Sequence, residues 1–566
     1  MMRLHGTLLC FGAAIAGATR SQSCLIAHTR NGTVQGRHLR AYDQDLFLGI
    51  PYAKAPRLAN PEPLDSKYNG TLDASEYGPT CYGFGSNQLL NLTQSEDCLN
   101  LNIIKPSMAT NSEKLPVLVW IYGGGNSQGS SADPMWNLTY VVDTAVRNKQ
   151  PVIAVSLNYR LSFFGFPGGR AALKAGVTNL GLKDQRLALQ WVQENIGSFG
   201  GDPSKVTIWG ESAGGSSVAF QLISYGGKGG EGLFRAGILV SGFTTGQNPK
   251  VSASQLEDGY QSVVEHAHCA AADDTLACLR SAPLENIYPG VLGGSPTTFG
   301  TVIDGDFIQQ EPARELASGH VTRVPIILGG DSDEGLFVAN TLGVFPNTTA
   351  ELQSILHAGL PGLTNDTIEK LLDLYPLGAP APPYSLPPDY AWCQAMAAAG
   401  LGCGTQYRRM ASILGDYLND APRRYMAKGW ASLGLETFSF RFDTDPTSIP
   451  IVYWNSLGTQ VYTLQSLSTI PTKAFAFAGH LLTFGQPKIG PGFALHGAEL
   501  AYQFGLPPGF TTSIDFYPPV KPVQPHIDVS HAIVSKWVSF AHSLDPNAIH
   551  GKDTVPFCPA LFPSPR

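Results

Sequence analysis

The stretch Gly210-Glu211-Ser212-Ala213-Gly214 has the pattern G-x-S-x-G, in which two glycines surround a serine. Residues 205–209 before it are rich in β-branched and aromatic side chains and predict a buried strand. Residues 215–222 after it can form a helix. Glycines permit the sharp strand-to-helix turn that lifts a serine hydroxyl above the edge of a sheet. The motif predicts that Ser212 is a nucleophile, although the same pattern also occurs in ordinary turns.

A serine hydroxyl attacks a carbonyl only when a base takes its proton and an acid orients that base. Enzymes with this serine turn carry the acid and then the histidine later in the chain. The acid candidate is Glu334, on a loop directly after the apolar run 324–329, with Asp331 and Asp333 as rivals. A carboxylate there would project from the sheet edge at which open α/β folds bind ligands. A turn or helix-capping role is the alternative.

The candidate base is His496, which is followed by a glycine and then by an apolar run, as expected of a loop that leads into a helix. Four other histidines, His480, His526, His531 and His542, also lie late enough in the chain. The residues alone leave the choice among them open.

A glycine triplet, Gly123-Gly124-Gly125, follows the apolar run 116–122. Attack on an ester builds negative charge on the carbonyl oxygen, and removing one hydrogen-bond donor to that oxygen costs about 10²–10³ in rate. Residues without side chains let backbone N–H groups approach such an oxygen, and Ala213 would supply a further N–H. A flexible turn is the alternative for the triplet.

Several strand-like segments, of which 116–122 and 152–157 are strongly apolar, predict the strands that must position these residues. They are 34–53, 99–104, 116–122, 152–157, 205–209, 236–240 and 324–329, and near-helical spacing predicts a helix over 182–196. Continuous rather than alternating apolar character is typical of parallel strands covered on both faces. The succession predicts an α/β protein with a central, mostly parallel sheet flanked by helices, with loop and helical insertions. We predict one domain over 19–566, not divided at the proline-rich stretch 379–388.

The composition is that of a globular protein, with 566 residues, 43% hydrophobic and 14% charged. A net charge of −7 provides no basic footprint, so nucleic-acid binding is not expected. No stretch after the first residues reaches about 18 uninterrupted apolar residues, so no transmembrane helix is predicted.

The first 18 residues have the features of a secretory signal peptide. Arg3 is followed by the apolar run 8–16 and by the A-x-A-like sequence Ala16-Gly17-Ala18, and an uncleaved anchor is the alternative. Export also fits the N-x-[ST] glycosylation sequons, at Asn31, Asn69, Asn91, Asn137, Asn347 and Asn365. The sequence therefore predicts a secreted glycoprotein.

Nine cysteines are present, and removal of Cys10 with the signal leaves an even number, as disulfides require. Cys269 and Cys278 are close enough in sequence for a disulfide to close one local loop, and a disulfide between Cys81 and Cys98 could close another. Three pairings remain for Cys24, Cys393, Cys403 and Cys558, of which local closure favours Cys393 with Cys403 and Cys24 with Cys558.

Motifs along nearly the whole chain resemble the type-B carboxylesterase/lipase family, which includes cholinesterases and fungal lipases. They are FLGIPYA (47–53), SEDCLNLN (95–102), NYRL (158–161), GLKDQR (181–186), FGGDP (199–203), GESAGG (210–215), DEG (333–335) and HG (496–497). The resemblance implies an α/β-hydrolase fold, with Ser212 as nucleophile, Glu334 as acid and His496 as base. It also implies oxyanion donors at Gly124, Gly125 and Ala213, and disulfides Cys81–Cys98 and Cys269–Cys278.

Some positions depart from the family pattern. Residues 81–98 correspond to the segment that forms the lid or gorge rim in relatives. This segment is short, includes the sequon at Asn91 and contains no tryptophan. A long amphipathic lid and a cation–π choline site are therefore not supported. Asn126 follows the triplet where relatives often have an aromatic residue, which predicts a more polar pocket mouth.

The resulting prediction is a secreted serine carboxylic-ester hydrolase that acts through an acyl-enzyme on a small-molecule ester and needs no metal or cofactor. We expect an esterase rather than an interfacial lipase. The alternatives are a biosynthetic acyltransferase or lactone-forming enzyme and a non-catalytic binding protein on the same fold. The ester, the occupied sequons and the oligomeric state stay open.

Overall fold

The computed structural model describes residues 25–110, 112–244, 253–293, 299–342, 344–360, 362–376, 404–444, 496–508, 510, 520 and 524–548. Several predictions lie outside these residues: the signal peptide, the stretch 379–388, His480, and the cysteines at 24, 393, 403 and 558. Within the described ranges, no helix combines the length and the apolar character needed to cross a membrane.

One nine-stranded sheet forms the centre of the protein. Its strands in chain order are β1 (Arg37–Leu39), β2 (Gln44–Pro51), β3 (Asn100–Pro106), β4 (Leu115–Ile121), β5 (Ile153–Leu157), β6 (Gly201–Glu211), β7 (Ala236–Val240), β8 (Ile326–Asp331) and β9 (Thr437–Phe442). Their spatial order is β9-β8-β7-β6-β4-β5-β3-β2-β1. The pairs from β5 to β9 are parallel, and β1, β2 and β3 add antiparallel pairs at the other side. The prediction of a mostly parallel sheet is confirmed.

The predicted strands match the observed ones wherever the apolar run was continuous. All residues of β4, β5 and β7 are buried, as expected for central strands covered on both faces. The run 34–53 is not one strand: Gly32–Gln35 belongs to a small separate sheet, and β1 and β2 are joined by a tight turn in which Asp43 has φ 49°. Strand β9 was not predicted from the sequence; it is the outermost strand on its side of the sheet, and its Phe438, Ser439, Phe440 and Arg441 alternate between apolar and polar.

Helices flank the sheet. The predicted helix 182–196 is Leu180–Asn195, and the helix after Ser212 is Ala213–Ile223. The other α-helices in the described ranges are Ser86–Leu89, Thr139–Arg147, Ser162–Gly165, Gly169–Lys174, Ala253–His266, Thr275–Ser281, Leu284–Gly293, Pro312–Ala317, Glu334–Leu342, Thr349–Gly359, Asn365–Leu374, Tyr407–Gly415, Ala421–Ser432, Leu500–Gln503 and Gln524–Ser543. Short 3₁₀-helices span Pro134–Trp136 and Ile196–Phe199, and a π-helical turn spans Asp416–Asp420.

Small sheets and two disulfides complete the described fold. Ile26–Thr29, Gly32–Gln35 and Thr71–Asp73 form one sheet, Ala53–Lys54 pairs with Glu62–Pro63, and Thr80–Cys81 pairs with Gln94–Ser95. The sulfurs of Cys81 and Cys98 are bonded, as are those of Cys269 and Cys278.

The carboxyl ends of the parallel strands β4, β6 and β8 lie at one edge of the sheet, with β7 between β6 and β8. Strand β6 ends at Glu211, next to Ser212, and β4 ends at Ile121, just before the glycine triplet. Strand β8 ends at Asp331, three residues before Glu334. Parallel strands have their carboxyl ends at the same edge, so the fold brings these sequence-distant segments together.

Candidate active site

Ser212 lies in a sharp turn between β6 and the helix Ala213–Ile223, with φ 54° and ψ −124°. Such a conformation is sparsely populated and persists only where the surroundings enforce it. Two glycines enforce it by close approach: a Cβ on Gly210 would lie 2.3 Å from the carbonyl oxygen of Gly214, and one on Gly214 would lie 2.1 Å from that of Ile121. Only glycine fits at these positions, and the start of the helix therefore packs against the end of β4.

The imidazole of His496 lies between Ser212 and Glu334. Its Nε2 is 2.8 Å from Ser212 Oγ, and its Nδ1 is 2.6 Å from Glu334 Oε2. The second oxygen of this carboxylate, Oε1, accepts a hydrogen bond of 3.0 Å from the backbone N–H of Asp331. The carboxylate is thus fixed at both oxygens, and the three side chains form one hydrogen-bonded chain.

The rival residues make other contacts. The Asp333 carboxylate accepts a 2.6 Å hydrogen bond from Ser332 Oγ, and Asp331 contributes its backbone N–H to Glu334. His526 contacts the hydroxyl of Tyr502, and His542 Nε2 lies 3.1 Å from the carbonyl oxygen of Pro151.

A buried aromatic cluster anchors the segment that follows His496. Phe504 packs against Trp120 of β4 and Trp209 of β6, with ring centroids 4.9 Å apart in both cases. Trp209 Nε1 also donates a 2.9 Å hydrogen bond to Gln503 Oε1. The helix Leu500–Gln503 is therefore tied to the two strands that carry the other parts of the site, and this restrains His496.

The glycine triplet begins a turn, residues 123–129, that we call the glycine loop. A Cβ on Gly123 would lie 3.0 Å from Ser212 Cβ, so the backbone passes directly beside the serine. Gly124 and Gly125 have φ 97° and 63°, which favours glycine, and Gly125 is exposed. Ala213 is the first residue of its helix, where an N–H has no intrahelical acceptor. These three N–H groups lie in segments adjacent to Ser212.

Two buried carboxyl groups that the sequence analysis did not single out surround the imidazole. Glu211 is 1% exposed, and its Oε1 lies 3.5 Å from His496 Nε2. Glu499, also 1% exposed, follows His496 by one turn of chain. The signals were available: Glu211 is the second residue of the serine motif, and Glu499 follows the histidine in an otherwise apolar run.

Burial and charge oppose each other in this cluster. Burial alone would lower the pKa of His496, but Glu334, Glu211 and Glu499 outweigh it and raise that pKa to about 9. Burial also raises the pKa of Glu211, of Asp331 and of Glu499. These carboxyl groups cannot all ionise together, and each proton they hold removes a charge that stabilises the imidazolium.

No group of three or more potential ligands suited to a metal ion occurs among the described residues.

Residues 81–98, here called the disulfide loop, contain the short helix Ser86–Leu89 and lie next to the glycine loop. Asn126, in the glycine loop, is half-buried with φ 59°, and its carbonyl oxygen accepts a 2.6 Å hydrogen bond from the N–H of Ser162. The glycine loop borders the serine turn, and the disulfide loop packs against the glycine loop.

The sequons differ in accessibility. The exposed ones are Asn69, Asn91, Asn347 and Asn365, and Asn137 is half-buried. Asn31 is 4% exposed, and its Nδ2 donates hydrogen bonds of 2.5 and 3.2 Å to the carbonyl oxygens of Leu64 and Ser66. Because a glycan is attached at this nitrogen, the folded environment of Asn31 has no room for one.

Comparisons with known proteins agree with this architecture. The sequence model of the "Carboxylesterase family" matches residues 23–559. "Secreted lipase 1" of Botryotinia fuckeliana is 36% identical over 427 residues, which cover 68% of this chain and 71% of that protein. "Lipase 4" of Diutina rugosa is 33% identical over 489 residues, covering 78% of this chain and 84% of the relative.

A solved structure is also similar. The crystal structure of Aspergillus niger EstA superposes with a TM-score of 0.71 at 26% sequence identity and covers 94% of this chain and 91% of that one. The likeness extends over the whole central sheet and its helices, so the fold is that of the α/β hydrolases.

Proposed function

The chain belongs to the carboxylesterase family and is a carboxylic-ester hydrolase, and we propose that Ser212, His496 and Glu334 carry out its reaction through an acyl-enzyme. The observation that supports these roles is the hydrogen-bonded chain from Ser212 Oγ through the imidazole to Glu334. Nucleophile, base and orienting acid need this order of contacts.

In the first step, His496 Nε2 takes the proton of Ser212 Oγ while this oxygen forms a bond to the ester carbonyl carbon. Negative charge then develops on the carbonyl oxygen, and the N–H groups of Gly124, Gly125 and Ala213 stabilise it. The carbon–oxygen bond to the alcohol breaks, and the alcohol leaves with the proton from Nε2. Water then attacks the acyl-enzyme, with His496 again as base. The bond between Ser212 Oγ and the acyl carbon breaks, Ser212 Oγ regains its proton from Nε2, and the carboxylic acid leaves.

Glu334 keeps the imidazole in the reactive tautomer. When Nδ1 carries a hydrogen that it donates to Glu334 Oε2, at 2.6 Å, the lone pair of Nε2 faces Ser212. Because Glu334 Oε1 is held by the N–H of Asp331, the carboxylate cannot rotate away as the imidazole gains its proton.

We further propose that the enzyme prefers soluble esters to an oil surface, although relatives are named lipases. The disulfide loop contains only the four-residue helix Ser86–Leu89, in which Leu89 is 36% exposed. An exposed Asn91 follows this helix and would carry a glycan beside it. A surface this small and this polar offers little apolar area to a lipid interface.

Secretion is part of the proposal. Two similar proteins are named secreted lipases, from Botryotinia fuckeliana and Gibberella zeae. The two disulfides of this chain also need an oxidising compartment to form and persist.

The test of the catalytic assignment is the Ser212→Ala variant, assayed with p-nitrophenyl butyrate. The expected result is loss of turnover and loss of labelling by a fluorophosphonate, with an unchanged circular dichroism spectrum. Ser281→Ala is the matched control, because this serine is exposed and bonds only to the backbone oxygens of its own helix. Turnover retained by Ser212→Ala would overturn the assignment.

The substrate preference is tested separately with tributyrin below and above its solubility limit. For an esterase the rate follows a single saturation curve in the dissolved range. An abrupt rise when droplets form would show interfacial activation and contradict the preference for soluble esters, while leaving the assignment of Ser212 intact.

A further inference from the structure

Asn87, in the disulfide loop, is completely buried, and its carboxamide faces the backbone of the glycine loop. Its Oδ1 accepts a 2.6 Å hydrogen bond from the N–H of Gly129. Its Nδ2 lies 3.1 Å from the carbonyl oxygen of Gly129, and 3.2 and 3.3 Å from acceptors on Cys81 and Thr80. One side chain thus binds both polar groups of a single residue, Gly129, and also the base of its own loop.

Gly129 closes the glycine loop onto its own start. A Cβ there would lie 2.5 Å from the ring of Tyr122 and 2.9 Å from the carbonyl oxygen of Gly123, so this residue packs against the first residue of the triplet. Its φ of 112° is in the range that favours glycine. The Asn87 carboxamide therefore holds the end of a loop whose start touches Ser212.

Two further contacts join the loops. Gln128 Oε1 accepts a 2.8 Å hydrogen bond from the N–H of Ser86, and the N–H of Phe84 donates to the carbonyl oxygen of Ser127 at 2.9 Å. Gln128 also packs on the triplet, since a Cβ on Gly124 would lie 2.9 Å from Gln128 Cγ. The side chain lies between a candidate oxyanion donor and the disulfide loop.

The disulfide loop is itself held in place from the other side. Its ends are joined by the Cys81–Cys98 bond, and Tyr288 donates its hydroxyl to the carbonyl oxygen of Gly83 at 2.7 Å. Gln94 Oε1 accepts a 2.9 Å hydrogen bond from the N–H of Gly83. The loop is thus a fixed support.

We propose that Asn87 is a positioning residue that holds the oxyanion donors, and that the disulfide loop supports the glycine loop instead of acting as a moving lid. The inference rests on the proposed ester hydrolysis, in which Gly124 and Gly125 bind the developing oxyanion. Movement of the disulfide loop away from the body would break the contacts of Asn87 and Gln128 and release the glycine loop.

The physical consequence lies in the transition state. Asn87→Ala leaves the N–H and carbonyl of Gly129 buried without this partner, so the glycine loop relaxes and its donors move away from the oxyanion position. Displacing oxyanion donors lowers the rate because their bonds form fully only in the transition state. The substrate's ground state gains little from them, so KM is nearly unchanged.

The experiment compares Asn87→Ala with the control Gln88→Ala. Gln88 is the next residue of the same helix, is exposed, and reaches only Tyr288 Oη, at 3.5 Å. With p-nitrophenyl butyrate, we expect kcat of Asn87→Ala to fall about 100-fold, with KM within about twofold, as for loss of one oxyanion donor. The control keeps the wild-type kcat.

Inhibition separates positioning from a general structural defect. A propyl trifluoromethyl ketone forms a hemiketal with the serine and places its oxygen in the oxyanion position, whereas methyl propyl ketone resembles the ground state. In Asn87→Ala the inhibition constant of the fluoroketone should rise by the same factor by which kcat/KM falls, and that of methyl propyl ketone should not change. A rise in KM alone, or an unchanged fluoroketone constant, overturns the proposal.

Gln128→Leu provides a second variant if Asn87→Ala does not fold. It keeps the packing on Gly124 but removes the acceptor for the N–H of Ser86, and we expect about a 10-fold fall in kcat with the same inhibition pattern. If Asn87→Ala folds and keeps the wild-type kcat, the inference about Asn87 is overturned but the proposed function is not. If only Gln128→Leu folds, a wild-type kcat in that variant has the same meaning. Absence of ester hydrolysis in the wild-type protein would overturn the proposed function itself.

Discussion

Replacing Glu211 by glutamine should move the pH dependence of the reaction to lower pH. Glu211 is the carboxyl group nearest to the reactive nitrogen of the base, with its Oε1 3.5 Å from His496 Nε2. In the proposed mechanism the imidazole must be neutral to take the proton of Ser212, so kcat/KM should rise as pH rises through the pKa of His496. A nearby negative charge stabilises the imidazolium and raises that pKa, and its removal lowers the pKa.

The size of the expected shift in the pH profile depends on the charges around His496 and on their distances from its imidazole. The increase of the His496 pKa from 6.5 to about 9 corresponds to about 3 kcal/mol in favour of the imidazolium, at roughly 1.4 kcal/mol per unit. Glu334, at 2.6 Å, is the first cause of the increase and stays in the variant. A full charge at 3.5 Å is worth about 5 kcal/mol at an effective dielectric constant of about 20, and burial, which raises the pKa of Glu211, opposes that charge. Because Glu211 ranks after Glu334 among the causes of the increase, we expect Glu211→Gln to lower the midpoint of the pH profile by roughly one pH unit.

The assay is kcat/KM for p-nitrophenyl butyrate between about pH 5 and 10, corrected for spontaneous hydrolysis. Glu257→Gln is the control for net charge, because this carboxylate lies on the surface helix Ala253–His266 and pairs with Arg170. Its profile should match that of the wild-type protein. If the midpoint of Glu211→Gln stays in place or moves to higher pH, the electrostatic reasoning is refuted.

Three other predictions, two on variants and one on glycosylation, have defined outcomes. Arg160→Met removes the cation that donates to Asp184 at 2.6 and 2.8 Å. Because Asp184 is completely buried, we expect the free energy of unfolding in urea to fall by about 3–5 kcal/mol. A fall below about 1 kcal/mol would show that the pair is solvated. Glu334→Gln should lower kcat by about 10⁴-fold with little effect on KM in steady-state assays, because His496 loses the acceptor that orients it. A fall in kcat of less than about tenfold would show that Glu334 does not have this role. Peptide mass mapping of the protein expressed through a eukaryotic secretory pathway should find Asn31 unmodified, since its Nδ2 is occupied by backbone acceptors. A glycan there would contradict the buried position.

The elements that carry the site could be predicted from sequence because their signals are local. Buried parallel strands such as β4 and β5 leave continuous apolar runs, and a strand followed by G-x-S-x-G and a helix identifies the turn at Ser212. The outermost strand β9 was not predicted, although its apolar and polar residues alternate as in a half-buried strand. The split of the run 34–53 was also not predicted, because β1 and β2 are separated only by a tight turn without a glycine or proline.

The sequence by itself determined the kinds of groups at the site and their order along the chain, and family resemblance was needed to choose among the rival acids and histidines. Only the tertiary structure decided which atoms meet: His496 is 162 residues from Glu334 and 284 from Ser212, yet contacts both. The burial of Glu211 and the contact of Asn87 with Gly129 were likewise decided only by the tertiary structure. Such contacts depend on strand register and on loops packed from distant parts of the chain, and no local pattern of residues encodes them.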